Sequence, residues 1–328
     1  MFRLPDGWSR PSKLDDFVVI GGVKIHRAGV AATAPTGEEV AGAAADRAAP
    51  ARERAWFELA ERVCVLEAIA GPRRRRRLYT EDGKASGDIT HAAAFPASRS
   101  PKRWVYARSN GIALHVDWAS ACRRAYWELA ERDRILRSWL GEIVPVALRL
   151  RPSLACAERT HEWLAYAFPA PEGSFSRGVH VVGVFAFPRS KRVPLAVGFA
   201  ARPVAENALD AAIGEATQQL AFLWGERPPA RVRTLPPGAA LHLDAYQVHA
   251  HHDRVRGWLD GGHVRFREPS ARPGRRAARV RFIDLTSPWL EGRARVAKAV
   301  CDSALPLLFG DSPAMRGLPP ELRLHPIP

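Results

Sequence analysis

The sequence predicts an α+β fold in which mixed and antiparallel sheets pack against helices, and three observations carry that expectation. Long amphipathic stretches alternate irregularly with short apolar runs, which does not fit the regular succession of a doubly wound sheet. One apolar run, Val179 to Phe187, is followed across Pro188-Arg189-Ser190-Lys191-Arg192 by a second, Val193 to Phe199, as in an antiparallel pair. Third, one helical phrase is written twice: Ala55-Trp56-Phe57-Glu58-Leu59-Ala60-Glu61-Arg62 returns as Ala125-Tyr126-Trp127-Glu128-Leu129-Ala130-Glu131-Arg132.

From the N-terminus, Phe17 to Ile20 reads as a strand ended by Gly21-Gly22. Residues 31–49 are rich in Ala, Gly and Thr, so residues 1–50 form a weakly specified N-terminal segment. Residues 51–328 then read as one continuous domain that includes this strand, since no linker composition interrupts them. The first helix runs from about Ala51 to Ala70 and stops at Gly71-Pro72. Residues 78–103 are polar, with Ser and Pro, and read as a variable loop.

Trp104 to Ala107 is a strand leading into the turn Ser109-Asn110-Gly111. Asp117 is placed to cap a second helix that continues to about Leu140. Ile143 to Leu150 reads as a further strand, and a third helix spans about Val204 to Trp224. The strand Ala278 to Ile283 runs into Asp284-Leu285-Thr286, and an apolar stretch, Val296 to Phe309, precedes the tail Leu324-His325-Pro326-Ile327-Pro328.

Of the 328 residues, 47% are hydrophobic and 25% charged, enough apolar matter for a substantial core. No apolar window reaches membrane-spanning length, and the first residues lack a signal core, so a cytoplasmic protein with no membrane partner is expected. The net charge of +15 raises nucleic acid as a partner, yet no helix-turn-helix, RNP or zinc-finger pattern accompanies it. Nucleic acid is therefore not expected. The run Arg73 to Arg77 reads either as a grip for phosphates or an acidic peptide, or as a solvated loop. Cys64, Cys122, Cys156 and Cys301 show no zinc or disulfide spacing, and the first two read as core residues.

Four constellations bear on chemistry. Glu58 with Glu61, and Glu128 with Glu131, each stand at i, i+3, so both carboxylates leave one helix face. They read either as oxygen ligands for a hard cation such as Mg2+ or as surface ladders with Arg62 and Arg132. Ser109-Asn110-Gly111 ahead of a helix can offer amides and short side chains to phosphate oxygens, as can any tight turn. His249, His251, His252 and His263 lack clean metal-ligand spacing, and a structural or surface role is preferred. The prolines at alternate positions of the tail hold it extended.

Taken together these features resemble the YcaO family, in particular the cyclodehydratases that install azolines (the rings of thiazole/oxazole-modified microcins) in ribosomally made peptides. The family's central motif, SNGxAxGxxxxEAxxxALxELxERD, is similar to Ser109-Asn110-Gly111-Ile112-Ala113 continued by Ala121, Ala125 and Glu128-Leu129-Ala130-Glu131-Arg132-Asp133. Its SxxxExxER element matches Glu58, Glu61 and Arg62, and its glycine-led strand with an AlxxAlxExxQ helix matches Gly198, Ala208-Leu209, Ala212, Glu215 and Gln218. Asp284-Leu285-Thr286 and the last two prolines complete the likeness.

The resemblance implies a YcaO-type fold around a nucleotide pocket, and ATP- and Mg2+-dependent activation of a backbone amide. Cys, Ser or Thr of the substrate attacks the preceding carbonyl, the oxyanion is phosphorylated, and phosphate leaves. It implies Glu58, Glu61, Glu128 and Glu131 as Mg2+ ligands, and Ser109, Asn110, Arg132, Glu215 and Gln218 as ATP-binding residues. Pro326 and Pro328 would organise the catalytic site. The implied partners are a precursor peptide and a separate leader-binding protein, with a homodimer left open. Departures from the pattern are Arg54 in place of Ser, Ser120 in place of a Mg2+-binding Glu, His115 in place of Gly, and Ala211 where Arg is common. They keep two other readings open: a catalytically impaired scaffold, and a thioamide- or amidine-forming enzyme.

Overall fold

The computed structural model describes residues 3–150, 158–261, 279–290, 292–318 and 322–327. In chain order its first elements are strands β1 (Ser12–Ile20), β2 (Val23–Thr33) and β3 (Glu39–Asp46), helix α1 (Arg52–Ala70), β4 (Arg75–Tyr79), β5 (Ala85–Thr90), α2 (His91–Ala94), β6 (Trp104–Tyr106) and β7 (Ile112–His115). There follow α3 (Trp118–Trp139), β8 (Val146–Leu148), β9 (His161–Phe168), β10 (His180–Pro188), β11 (Ala196–Arg202) and α4 (Ala205–Leu223). The last are α5 (Ala239–Gln247), α6 (His252–Leu259), β12 (Arg281–Asp284), β13 (Arg295–Val300) and β14 (Leu308–Gly310).

The chain divides into two compact units. The first comprises Met1–Phe95, Gly111–Leu129 and Val280–Val300, and the second the remainder. The boundary falls inside α3, after Leu129, where no linker composition could mark it.

In the first unit β1, β2 and β3 form an antiparallel sheet, and β5-β4-β12-β13-β7 form another. Helix α1 serves both. Ala55, Trp56, Leu59 and Val63 pack with Val30, Ala32 and Ala44, whereas Cys64 and Val65 pack with Leu78, Ile112, Ile283 and Val296. Its apolar residues therefore run round most of the helix rather than along one stripe. The second unit holds the antiparallel sheet β11-β10-β9-β8, with α4 packed on it through Ala208, Ala212, Ile213 and Ala216, and the pair β14-β6. Its aromatic core brings Trp139 and Trp258 to 5.2 Å between ring centroids, with Phe168 stacked on Trp258 at 5.5 Å. Among the described residues no helix is long and apolar enough to cross a membrane.

The three long helices lie where the sequence predicts them, and β10 pairs with β11 as expected, although β11 begins at Ala196 rather than Val193. Three readings of the sequence differ from the structure. Residues 31–49, expected to be weakly specified, end β2 and form β3. Alternate Ala and Val side chains there enter the core, but they are too small to mark a strand by hydrophobicity. The loop expected over 78–103 contains the end of β4, all of β5 and α2. The solvated loop considered for the arginine run is largely strand β4, in which Arg76 is buried. Strand β9 and helices α5 and α6 have no counterpart in the sequence reading. Cys156 lies outside the described residues, while Cys64 and Cys122 are buried as expected.

Two glycines set how closely helices approach sheets. A Cβ built on Gly42 would lie 2.0 Å from the Ala55 carbonyl oxygen and 2.5 Å from the Leu59 nitrogen. On Gly198 it would lie 2.2 Å from both the Ala212 oxygen and the Ala216 nitrogen. Each contact is with helix backbone, which cannot swing aside. Gly198→Ala should therefore destabilise the chain by ~2 kcal/mol or more. Gly214→Ala, on the open face of α4 with no atom within 4 Å, should stabilise it by about 0.5–1 kcal/mol. Urea unfolding of the two variants checks both signs.

Candidate active site

The duplicated helix phrase has a structural role that the structure shows three times. Glu58 Oε2 on α1 accepts the Ala43 amide at 2.8 Å, and Glu128 Oε2 on α3 accepts the Ile112 amide at 2.6 Å. Glu215 Oε2 on α4 accepts the Phe199 amide at 3.3 Å. Every donor follows a glycine, Gly42, Gly111 or Gly198, whose missing side chain lets helix and strand meet. The helix partners correspond too: Ala55, Ala125 and Ala212 stand three residues before the glutamate and are fully buried. Three residues after it stand Glu61, Glu131 and Gln218. The α4 copy thus belongs to the same repeat, although it lacks the aromatic flanks of the other two. A glycine-led amide 15 or 16 residues before a helical glutamate is the signal that could have found it.

In the first unit the carboxylates of Glu58 and Glu128 each lie close enough to Glu61 to repel its charge. Glu61 Oε2 accepts the Leu114 amide at 3.0 Å. Burial, then the charges of Glu128 and Glu58, push the Glu61 carboxyl up to about 8, against the smaller opposing effects of the Leu114 amide and Arg62. The surface ladder is formed in the first copy. Arg62 donates to Glu58 Oε1 at 2.5 Å, whereas Arg132 Nη1 donates to the Ser109 carbonyl at 2.9 Å and so ties α3 to the Ser109-Asn110-Gly111 turn. Among the described residues no group of three or more His, Cys, Asp or Glu side chains is gathered closely enough to hold a metal ion. The oxygen donors of Glu58, Glu61 and Glu128 are nonetheless of the chemical kind that a hard divalent cation such as Mg2+ takes, although they are not gathered into a ready-made site.

Other candidate residues are placed as follows. Asn110 and Arg132 are half-buried in the second unit, as is Glu131, one turn beyond Glu128 on α3. Glu215 is exposed and Gln218 half-buried on α4, while the adjacent Gln219 Oε1 accepts the Val197 amide at 2.6 Å. The departures have their own partners. Arg54 holds the Ala45 carbonyl at 2.8 Å and Asp46 at 2.7 Å, at the end of β3. Asp117 caps α3 by accepting the Ser120 amide at 2.8 Å, and the Ser120 hydroxyl receives Arg123 at 2.8 Å.

The tail is anchored rather than frayed. Trp139 Nε1 donates to the Leu322 carbonyl at 2.7 Å, and the Tyr246 hydroxyl donates to that of Leu324. His242 donates through Nδ1 to the His325 carbonyl at 3.0 Å and accepts the Gly310 amide through Nε2 at 2.9 Å, which requires a neutral ring. His325 is fully buried and donates to the Leu308 carbonyl at 2.8 Å. Its pKa is pushed down to about 4, chiefly by burial, with the charge of Arg132 adding to the effect. Pro326 is buried and lines a cavity of about 10 Å3 with Gln219 and Tyr246. Pro328 and His263 lie outside the described residues. His252 is buried, donating to the Tyr246 carbonyl at 3.0 Å, consistent with the structural role expected of the histidine cluster.

The family pattern described as YcaO cyclodehydratase, ATP- and Mg2+-binding, matches residues 88–299, and the chain belongs to that family. A search of curated protein sequences returned no match. Among solved structures the chain is similar to YcaO from Methanopyrus kandleri bound with AMPPCP and Mg2+, at TM-score 0.55 and 18% identity, covering 91% of this chain and 86% of that one. It is also similar to a chain of the E. coli microcin synthetase McbBCD complex, at TM-score 0.53 and 11% identity, with 84% of each chain covered. The same complex with pro-MccB17 bound gives TM-score 0.54 at 11% identity, again with 84% of each chain covered. These likenesses establish the YcaO-type fold, with antiparallel sheets packed against helices.

The raised pKa of Glu61 fixes the sign of a pH effect. Between its ordinary value and about 8 the folded chain holds a proton that the unfolded chain has lost. This contribution is complete below the unfolded pKa and is lost as pH rises through about 8. Glu61→Gln should therefore gain stability relative to the unmodified chain between pH ~5 and ~8.5, by on the order of 2–4 kcal/mol. Urea midpoints at the two pH values measure it. Parallel pH profiles for the two proteins would remove the assignment.

Proposed function

We propose that this protein is an ATP-dependent cyclodehydratase that activates backbone amides of a ribosomal precursor peptide and forms thiazoline or oxazoline rings. The observation that carries the reading is the family match joined to the crowded carboxylates of Glu58, Glu61 and Glu128. Glu58, Glu61, Glu128 and Glu131 would hold Mg2+, which when bound supplies charge neutralisation for transferring phosphate. Ser109, Asn110, Arg132, Glu215 and Gln218 would bind ATP, with Arg132 oriented through its bond to the Ser109 carbonyl. Pro326 and Pro328 would shape the site through the anchored tail. Substrate would be delivered by a separate leader-binding partner in the cytoplasm.

A second reading has its own observation. Arg54 and Ser120 replace expected family residues and are bonded into local structure, which favours a scaffold that no longer turns over ATP. Calorimetry separates the two. The active enzyme binds Mg-ATP, and Glu128→Gln, which keeps an acceptor for the Ile112 amide, weakens binding by ~tenfold or more. With precursor, partner, ATP and Mg2+, the peptide should lose one water's mass for each ring formed. Mg-ATP binding insensitive to Glu128→Gln, together with an unchanged peptide mass, would favour the scaffold.

A further inference from the structure

At the C-terminal end of α1, where Gly71 and Pro72 turn the chain towards β4, a cavity of about 250 Å3 opens beside the segment that follows β12. Its lining belongs to the first unit alone and includes none of the carboxylates assigned above to Mg2+. The arginine run supplies its cations. Arg76 is only 6% exposed, donates to the Ala68 carbonyl and stands 5.2 Å from the Phe95 ring. Its Nε, also buried, has no hydrogen-bond partner. A buried donor left unsatisfied is costly, which makes this guanidinium one that an acceptor would stabilise. Arg73 is exposed at the mouth and enters none of the ion pairs formed among the described residues.

The two acids in the wall are already engaged. Glu67 Oε2 accepts the Ser287 hydroxyl and, at 3.1 Å, the Trp289 indole N–H. Asp284 Oδ1 accepts the Thr286 amide at 2.8 Å. What the cavity still offers are guanidinium donors, so its ligand is an anion. Two arginines facing two carboxylates make a lining that suits a single negative charge better than the double charge of a phosphate. The volume exceeds that of a bare ion, and Ala68 and Leu285 give it an apolar part.

We propose that this cavity binds an acidic residue of a peptide, with the side-chain carboxylate held by the guanidinium groups of Arg76 and Arg73. The site is independent of the ring-forming reaction, so its test needs neither ATP nor turnover. The full-length chain, labelled with 15N at arginine, is titrated with N-acetylglutamate α-amide while the Arg76 Nε–H resonance is followed. A saturable shift is expected, with N-acetylglutamine α-amide and inorganic phosphate at least ~tenfold weaker. Arg73→Gln, at an exposed position, should leave the fold intact and weaken binding by about threefold or more. Arg76→Gln should abolish it. The proposal is overturned by the absence of a saturable shift, by equal binding of the glutamine analogue or of phosphate, or by unchanged binding in Arg73→Gln.

Discussion

The structure depends on one contact: a helix laid on a strand at a glycine, closed by a carboxylate that takes the next backbone amide. An ordinary helix–sheet contact is spaced by side chains on both surfaces. At Gly42 and Gly198 that spacing vanishes, and the strand backbone lies against the helix backbone. The glutamate then completes the contact with a charge-assisted bond to an amide. The same device in α3 places Gly111 against Leu129 and fixes the strand that begins at Ile112. Sequence, packing and site thus share residues: the glutamates that look like ligands also hold the sheets to their helices.

That dual role shapes the electrostatics. A surface carboxylate would relax away from its neighbours, but Glu58 and Glu128 are fixed by strand amides and Glu61 by Leu114. The chain keeps like charges together, and Glu61 takes up a proton to relieve them. The anchored tail follows the opposite logic. His242 and His325 are kept neutral by burial, so their rings serve as uncharged hydrogen-bonding groups on the backbone around Leu308 and Gly310.

Helices α1, α3 and α4 were legible because each is long, with α1 closed by Gly71-Pro72 and α3 capped by Asp117, as were β10 and β11 through their apolar runs. Strand β1 was legible in part through Phe17 to Ile20, but β2 and β3 were not, because their inward residues are largely alanine and carry little hydrophobic contrast. Strand β4 was hidden by arginines, since burial of Arg76 depends on a distant aromatic ring and carbonyl that sequence does not reveal. In the candidate site, the spacing alone put each glutamate pair on one helix face. Their binding to strand amides was not legible, because it depends on which glycine lies opposite, and Gly42 sits in a stretch with no strand signal.

The Leu114 amide leaves a mark on any chemistry at Glu61. It ties the carboxylate of a helix residue to the backbone of strand β7. A bond to an ionised carboxylate is stronger than one to its protonated form, so each change of charge at Glu61 is also a change in how firmly α1 holds that strand. Titration and packing are here one event, read out in the backbone of Leu114.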